Sequence, residues 1–249
     1  MTYLNKELSQ IKIIELIILA FLFLIFILII GEIFQVVIDE EWIYISLILF
    51  IFYKLRHCGN DFKKQFKNIF NRFSFKHILF IVLINIFFSC GMIIVSDLFL
   101  DSLSYSIIPS LKIIGVLSGI ISSVIIAPLF EELLFRGIIL QKLNKRLGII
   151  VSILISSILF GIIHDLGGIF SAFIFGICMC ILYIKSNNIL VPIFAHALNN
   201  LIAEALYLID PSEMIFTDII LISIFSVLAI ISAILLLLFF SQYLKGIDS

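Results

Sequence analysis

An all-α, polytopic membrane protein of about eight transmembrane helices is the fold class the sequence predicts. Three observations carry it. Hydrophobic residues make up 63% of the 249 and charged residues only 13%, with a mean hydropathy of +1.28. A soluble domain sits near 45–50% and about 25%, so a soluble globule of this composition could not cover its surface. The apolar stretches are continuous runs of Ile, Leu and Phe rather than alternating in/out decads, which selects helices over a β-barrel. The charges gather between those runs and leave them nearly bare.

Read at roughly 20 residues per span, the helices fall at about 12–30, 42–54, 77–97, 111–142, 148–164, 169–185, 189–208 and 217–241. The first run is longer than a signal-peptide core and lacks a small-residue cleavage site, which makes it a retained anchor. The second is short, and the fourth is long and carries charges. The 54–76 linker holds Lys54, Arg56, Lys63, Lys64, Lys67, Arg72 and Lys76 against the single acid Asp61. Phe62, Phe66, Phe70 and Phe73 are interleaved with these cations, so the segment is either an amphipathic helix on an anionic leaflet or a solvated basic loop. Lys142, Lys145 and Arg146, then Lys185, then Lys245 mark further basic junctions. The alternate junctions are acidic: Glu32, Asp39, Glu40 and Glu41; Asp97 and Asp101; Asp165; and Asp210, Glu213 and Asp218. The basic ends therefore face the cytoplasm, with both termini inside and Lys112 the one exception outside.

Lys plus Arg number 16 and Asp plus Glu 17, so no basic excess points to a nucleic-acid partner. The 4 Cys form no disulfide framework, and the 4 Pro no proline-rich tract. Nothing repeats internally and no flexible linker divides the chain, so residues 1–249 read as one integral membrane domain. Polar residues inside the apolar runs concentrate in the second half, with 110–208 as the candidate catalytic core.

An ionisable group at bilayer depth costs roughly 2.5–3.5 kcal/mol on insertion scales and is a functional candidate by default. Glu131, Glu132 and Arg136 lie inside the fourth run just after Pro128. His164 ends the fifth; His196 and Asn200 lie in the seventh. Glu132 and Arg136 are four apart and share a helix face, whereas Glu131 sits about 100° around the helix. Either Arg136 neutralises Glu132 and leaves Glu131 free for chemistry, or both acids share the one arginine in a buried network. His196 and Asn200, also four apart, present an imidazole and an amide together. At 1.5 Å per residue Glu131 lies about 16 Å deep, His164 about 24 Å and His196 about 12 Å, which permits them to meet near mid-membrane.

A carboxylate beside an imidazole can take a proton from water, and an imidazole with an amide can stabilise the oxyanion formed at a carbonyl. The same Glu131, His164 and His196 could instead ligate a catalytic Zn²⁺ with an open fourth position; the spacing leaves both open. Cys178 and Cys180 are about 200° apart on a helix and read as packing. Glu204, two turns beyond His196, either borders the cavity or marks the helix end. His-Glu-x-x-His and Gly-x-Ser-x-Gly signatures are absent.

Glu-Glu-x-x-x-Arg at 131–136, Phe-x-x-x-His at 160–164 and His-x-x-x-Asn at 196–200, in that order, resemble the CPBP family. It comprises type II CAAX prenyl endopeptidases and bacteriocin-processing or immunity-associated membrane proteins. The resemblance implies an eight-helix intramembrane endopeptidase opening to the cytoplasm and working without a metal cofactor. It implies that Glu131 and His164 activate water and that His196 and Asn200 form the oxyanion hole, with Glu132 and Arg136 in support. Candidate substrates are a prenylated CAAX-type tail, a leader peptide or a membrane peptide, and the cytoplasmic membrane of a prokaryote is the expected location. The richness in Ile, Phe, Lys and Asn leans toward peptide processing. The competing class is a non-catalytic membrane partner or transporter using the same cavity, since buried Glu, Arg and His also build proton relays. Paired broken helices in matching halves, which would favour transport, are not evident.

Overall fold

The computed structural model describes residues 2–35, 41–99, 119–164, 168–210, 212 and 214–244. They form a helical bundle: α1 (Tyr3–Gln10), α2 (Ile13–Phe34), α3 (Glu41–Lys54), α4 (Gly59–Lys67), α5 (Phe75–Phe99), α6 (119–147), α7 (Ile149–Ile162), α8 (Ile169–Ser186), α9 (Leu190–Ile209), α10 (Met214–Thr217) and α11 (Ile219–Leu244). The all-α membrane architecture holds. Five described helices are long and apolar enough to cross a bilayer: Ile13–Phe34, Phe75–Ser96, Ile169–Ser186, Leu190–Ile209 and Ile219–Tyr243. Of the other expected spans, two are short among the described residues. Both α3 and α7 have 14 residues, about 21 Å of helix against a core of roughly 30 Å. The expected fourth span is interrupted, as described below, and its start at 111–118 with Lys112 lies outside the described residues. So do the junction residues Asp39, Glu40, Asp101, Asp165, Glu213 and Lys245.

Burial separates the helices into inner and outer members. In α8 Cys178, Met179, Cys180, Ile181 and Leu182 are wholly buried, against Leu133 and Ile138 of α6 and Val191 and Ala195 of α9 in the same core. By contrast α2 and α11 expose Phe21, Leu22, Leu28, Val227, Ile230 and Leu237, the surface a helix presents to lipid. α11 packs along α5, α8 along α7, and α9 touches α5, α6 and α8. The α7–α8 contact is close because Gly176 has no side chain: a Cβ there would stand 3.1 Å from Ser157 Cβ.

Caps set the ends. Thr2 Oγ1 accepts from Asn5 N at 3.3 Å to start α1. Asp210 accepts from Met214 N and Ile215 N at the start of α10, and Asp218 from Ile220 N and Leu221 N at the start of α11. α6 passes to α7 through Gly148 at φ +78°, a left-handed position that suits glycine. Asn187 closes α8 at φ 51° with its N–H on Tyr183 O.

The sequence reading did not anticipate α1. Its Leu4 and Leu8 are fully buried, and Leu8 lies against Gly137 of α6. Asn5 Nδ2 donates to Asn187 Oδ1 at 2.9 Å, and Lys145 Nζ donates to Ser9 Oγ at 2.9 Å. The basic junctions after α3, α6 and α8 thus meet at one end of the bundle.

Candidate active site

α6 is not a regular helix. Wide π turns at Ser122–Ile126 and Leu133–Ile139 flank a short α-helical piece, Ala127–Glu132. Pro128 supplies a reason for the first. It has no N–H to give to the carbonyl four residues back, and its ring crowds that position, which a wider turn relieves. In the second, Phe135 O accepts from Leu140 N, five residues on, and from Ser156 Oγ of α7 at 3.1 Å. Such turns recur at functional sites, and here they bracket both glutamates.

Glu132 and Arg136 are wholly buried and joined by Arg136 Nη1 to Glu132 Oε1 at 3.0 Å. Arg136 Nη2 donates to Gly176 O at 3.1 Å, and its guanidinium lies 4.4 Å from the Phe160 ring centroid. The arginine therefore ties α6 to α8 and α7. It bonds Glu132, not Glu131.

The same Glu132 Oε1 faces His196 Nδ1 at 2.8 Å. An ionised carboxylate only accepts, so Nδ1 carries the hydrogen and Nε2 is turned the other way. Nε2 lies 3.8 Å from Glu131 Oε2. The two adjacent acids thus meet one imidazole, Glu132 from the buried side and Glu131 from the cavity side. Helical geometry had sent Glu131 elsewhere, but the width of the ring lets it face both. The Glu132–His196 bond was missed, because no spacing in the sequence relates residues 64 apart.

His164 is oriented independently. Its Nδ1 lies 2.8 Å from Phe160 O, a carbonyl that can only accept, so in the neutral ring Nε2 holds the lone pair. Phe160 packs on both imidazoles, with centroids 4.7 Å from His164 and 5.8 Å from His196. His164 also lines two cavities. One of ≈ 170 Å³ holds His196, Asn199 and Asn200 with Ser89 and Ser171; the other, of ≈ 440 Å³, holds Glu131 with Tyr44 and Phe130. Asn200 is fixed by Nδ2 donating to Ser123 O at 2.8 Å, which leaves its second amide hydrogen for another acceptor. Ser123 Oγ in turn donates to Glu204 Oε1 at 2.7 Å. Among the described residues no three His, Cys, Asp or Glu are grouped as metal ligands would be. Cys178 and Cys180 are buried, the first beside Asn85 and the second beside Ser157.

Residues 112–202 match the family model described as type II CAAX prenyl endopeptidase Rce1-like. That segment is CPBP-like. It contains all three motifs, while Tyr44, Ser89 and Glu204, which also border the site, lie outside it. The chain is also 40% identical over 82 residues to a Bacillus subtilis (strain 168) protein named "Putative membrane peptidase YdiL", an overlap of 32% of this chain and 34% of the relative. The match thus spans about a third of the curated relative's length. No solved structure matches the chain.

Proposed function

We propose that the chain is an intramembrane endopeptidase in which side chains of α6, of the segment just after α7 and of α9 activate water against a peptide carbonyl. The observation that carries this reading is the contact of Glu131 with His196 at 3.8 Å, with His164 lining the cavities on both sides, inside the CPBP-like segment.

In the proposed reaction Glu131, helped by the lone pair of His164 Nε2, takes a proton from water as its oxygen attacks the carbonyl carbon. The tetrahedral oxyanion accepts from the second amide hydrogen of Asn200 and from His196 Nε2. Because Nδ1 of His196 is committed to Glu132, donation from Nε2 requires the doubly protonated ring. One oxyanion donor contributes about 3–4 kcal/mol of transition-state stabilisation. The proton then passes to the amide nitrogen, the C–N bond breaks, and the products leave as a carboxylate and an ammonium once the new acid gives its proton to the new amine. The substrate is a membrane peptide, a leader peptide or a prenylated CAAX-type tail, entering from the cytoplasmic side.

The test is proteomics of peptide termini in membranes carrying the wild type or Glu131→Ala, followed by cleavage of the identified peptide by purified protein. New termini that depend on Glu131 support the proposal. Unchanged cleavage in Glu131→Ala, His164→Ala and His196→Ala, each folded, overturns it.

A further inference from the structure

The basic, aromatic segment after α3 has no part in the reaction above, and the structure resolves its two faces. Cys58, Phe62, Gln65 and Ile69 recur at helical spacing. Cys58 and Gln65 are buried, while Phe62 and Ile69 pack against the core. Gln65 is the anchor: its Oε1 accepts from Ile189 N at 3.0 Å, its carbonyl accepts from Asn188 Nδ2 at 2.8 Å, and its Nε2 donates to Thr2 Oγ1 at 3.2 Å. α4 is thereby clamped across α1 and the turn that begins α9.

The opposite face is solvent-side and of one sign. Lys63, Lys64, Phe66 and Lys67 are exposed, followed by Phe70, Arg72 and Lys76. None of these cations makes an ion pair among the described residues. Phe66 is 72% exposed and Phe70 45%, an apolar area that water disfavours but the headgroup–acyl boundary accepts. Phe70 also packs edge-on against Phe194 at 5.5 Å. Phe194 lies two residues before His196, so the segment adjoins the helix that carries the site.

We infer that the outward face of α4 and of the turn that follows it, through Lys63, Lys64, Phe66, Lys67 and Phe70, binds the headgroups of anionic phospholipid. The cations meet phosphate and the phenyl rings enter the boundary beside them. An acidic peptide would match the charge and leave Phe66 unexplained. The inference does not depend on the proposed reaction.

The full chain carrying F66W in a W42F background, where the native tryptophan no longer contributes, is placed in nanodiscs of phosphatidylcholine with or without phosphatidylglycerol. Its affinity for phosphatidylglycerol is also measured in detergent. The indole emission should shift to the blue with phosphatidylglycerol, and K63Q/K64Q/K67Q should abolish the shift and weaken the affinity by about tenfold or more at low salt. These substitutions spare the Gln65 anchor, and far-ultraviolet dichroism checks that the helices persist. Emission indifferent to phosphatidylglycerol, or an unchanged affinity in the folded triple variant, overturns the inference. A blue shift produced by a polyglutamate peptide and not by phosphatidylglycerol overturns it too, in favour of an acidic protein partner.

Discussion

Glu132 receives His196 Nδ1 at 2.8 Å while remaining 3.0 Å from Arg136 Nη1. One carboxylate thus orients an imidazole on α9 and neutralises a guanidinium on its own helix. An oriented ring is a different thing from a ring that is merely nearby, because the hydrogen bond at one nitrogen decides what the other can do.

Replacing Glu132 by Gln keeps the volume and leaves Nδ1 a carbonyl to donate to, provided the amide turns its oxygen toward the ring. The negative charge that faces the His196 ring in the proposed reaction is gone. We expect kcat to fall by about 10²-fold or more, with KM little changed, in steady-state cleavage by the folded variant.

Arg136→Met removes the counter-charge of a wholly buried acid. Breaking such a pair costs about 3–5 kcal/mol, so thermal unfolding in detergent should occur at clearly lower temperature. The double variant Glu132→Gln/Arg136→Met leaves no orphaned charge and should recover part of the loss.

Glu204 and Ser123 reach the site through Asn200. Glu204→Ala frees the Ser123 hydroxyl and loosens the turn whose carbonyl holds the Asn200 amide. The expected result is a fall in kcat of roughly tenfold at steady KM. Glu204→Gln still offers Ser123 an oxygen and should stay near wild type. Equal losses in both variants would point to the charge instead.

Gly176→Val places side-chain atoms where Ser157 already stands and disturbs the carbonyl that Arg136 grips. Overpacking costs typically about 1–3 kcal/mol. Lower thermal stability and lower activity should appear together, whereas Gly119→Val, with open space around the glycine, should leave stability much closer to wild type.

If the proposed proton transfers run through side chains alone, prolonged treatment with a chelator should leave the cleavage rate unchanged. A loss that Zn²⁺ restores would reassign Glu131, His164 and His196 as metal ligands.

The membrane architecture was legible because continuous apolar runs admit few other folds. Glu131, Arg136, His164 and His196 stood out because polar groups at bilayer depth have a high cost. What stayed hidden depends on contacts between distant stretches. α1 reads Tyr-Leu-Asn-Lys-Glu-Leu-Ser-Gln, too short and polar to announce itself, and is secured by Leu4, Leu8 and the Asn5–Asn187 bond. The 54–76 linker left helix and loop open, and the structure places α4 within it because Gln65 finds partners that only the folded bundle provides. The Glu132–His196 bond joins two motifs that the sequence shows only as neighbours in order.

The two wide turns of α6 have a consequence for how its chemistry is stored. Each holds about one residue more than an ordinary turn, so the middle of the helix is rotated by about 100° against either end. Excising a single residue from Leu133–Ile139 would preserve composition and nearly preserve length, yet swing the acids out of phase with the half of α6 that is fastened to α1 and α7. The bundle keeps its reactive arrangement as an angular offset along one rod, and that offset is a quantity a residue-by-residue comparison of relatives would overlook.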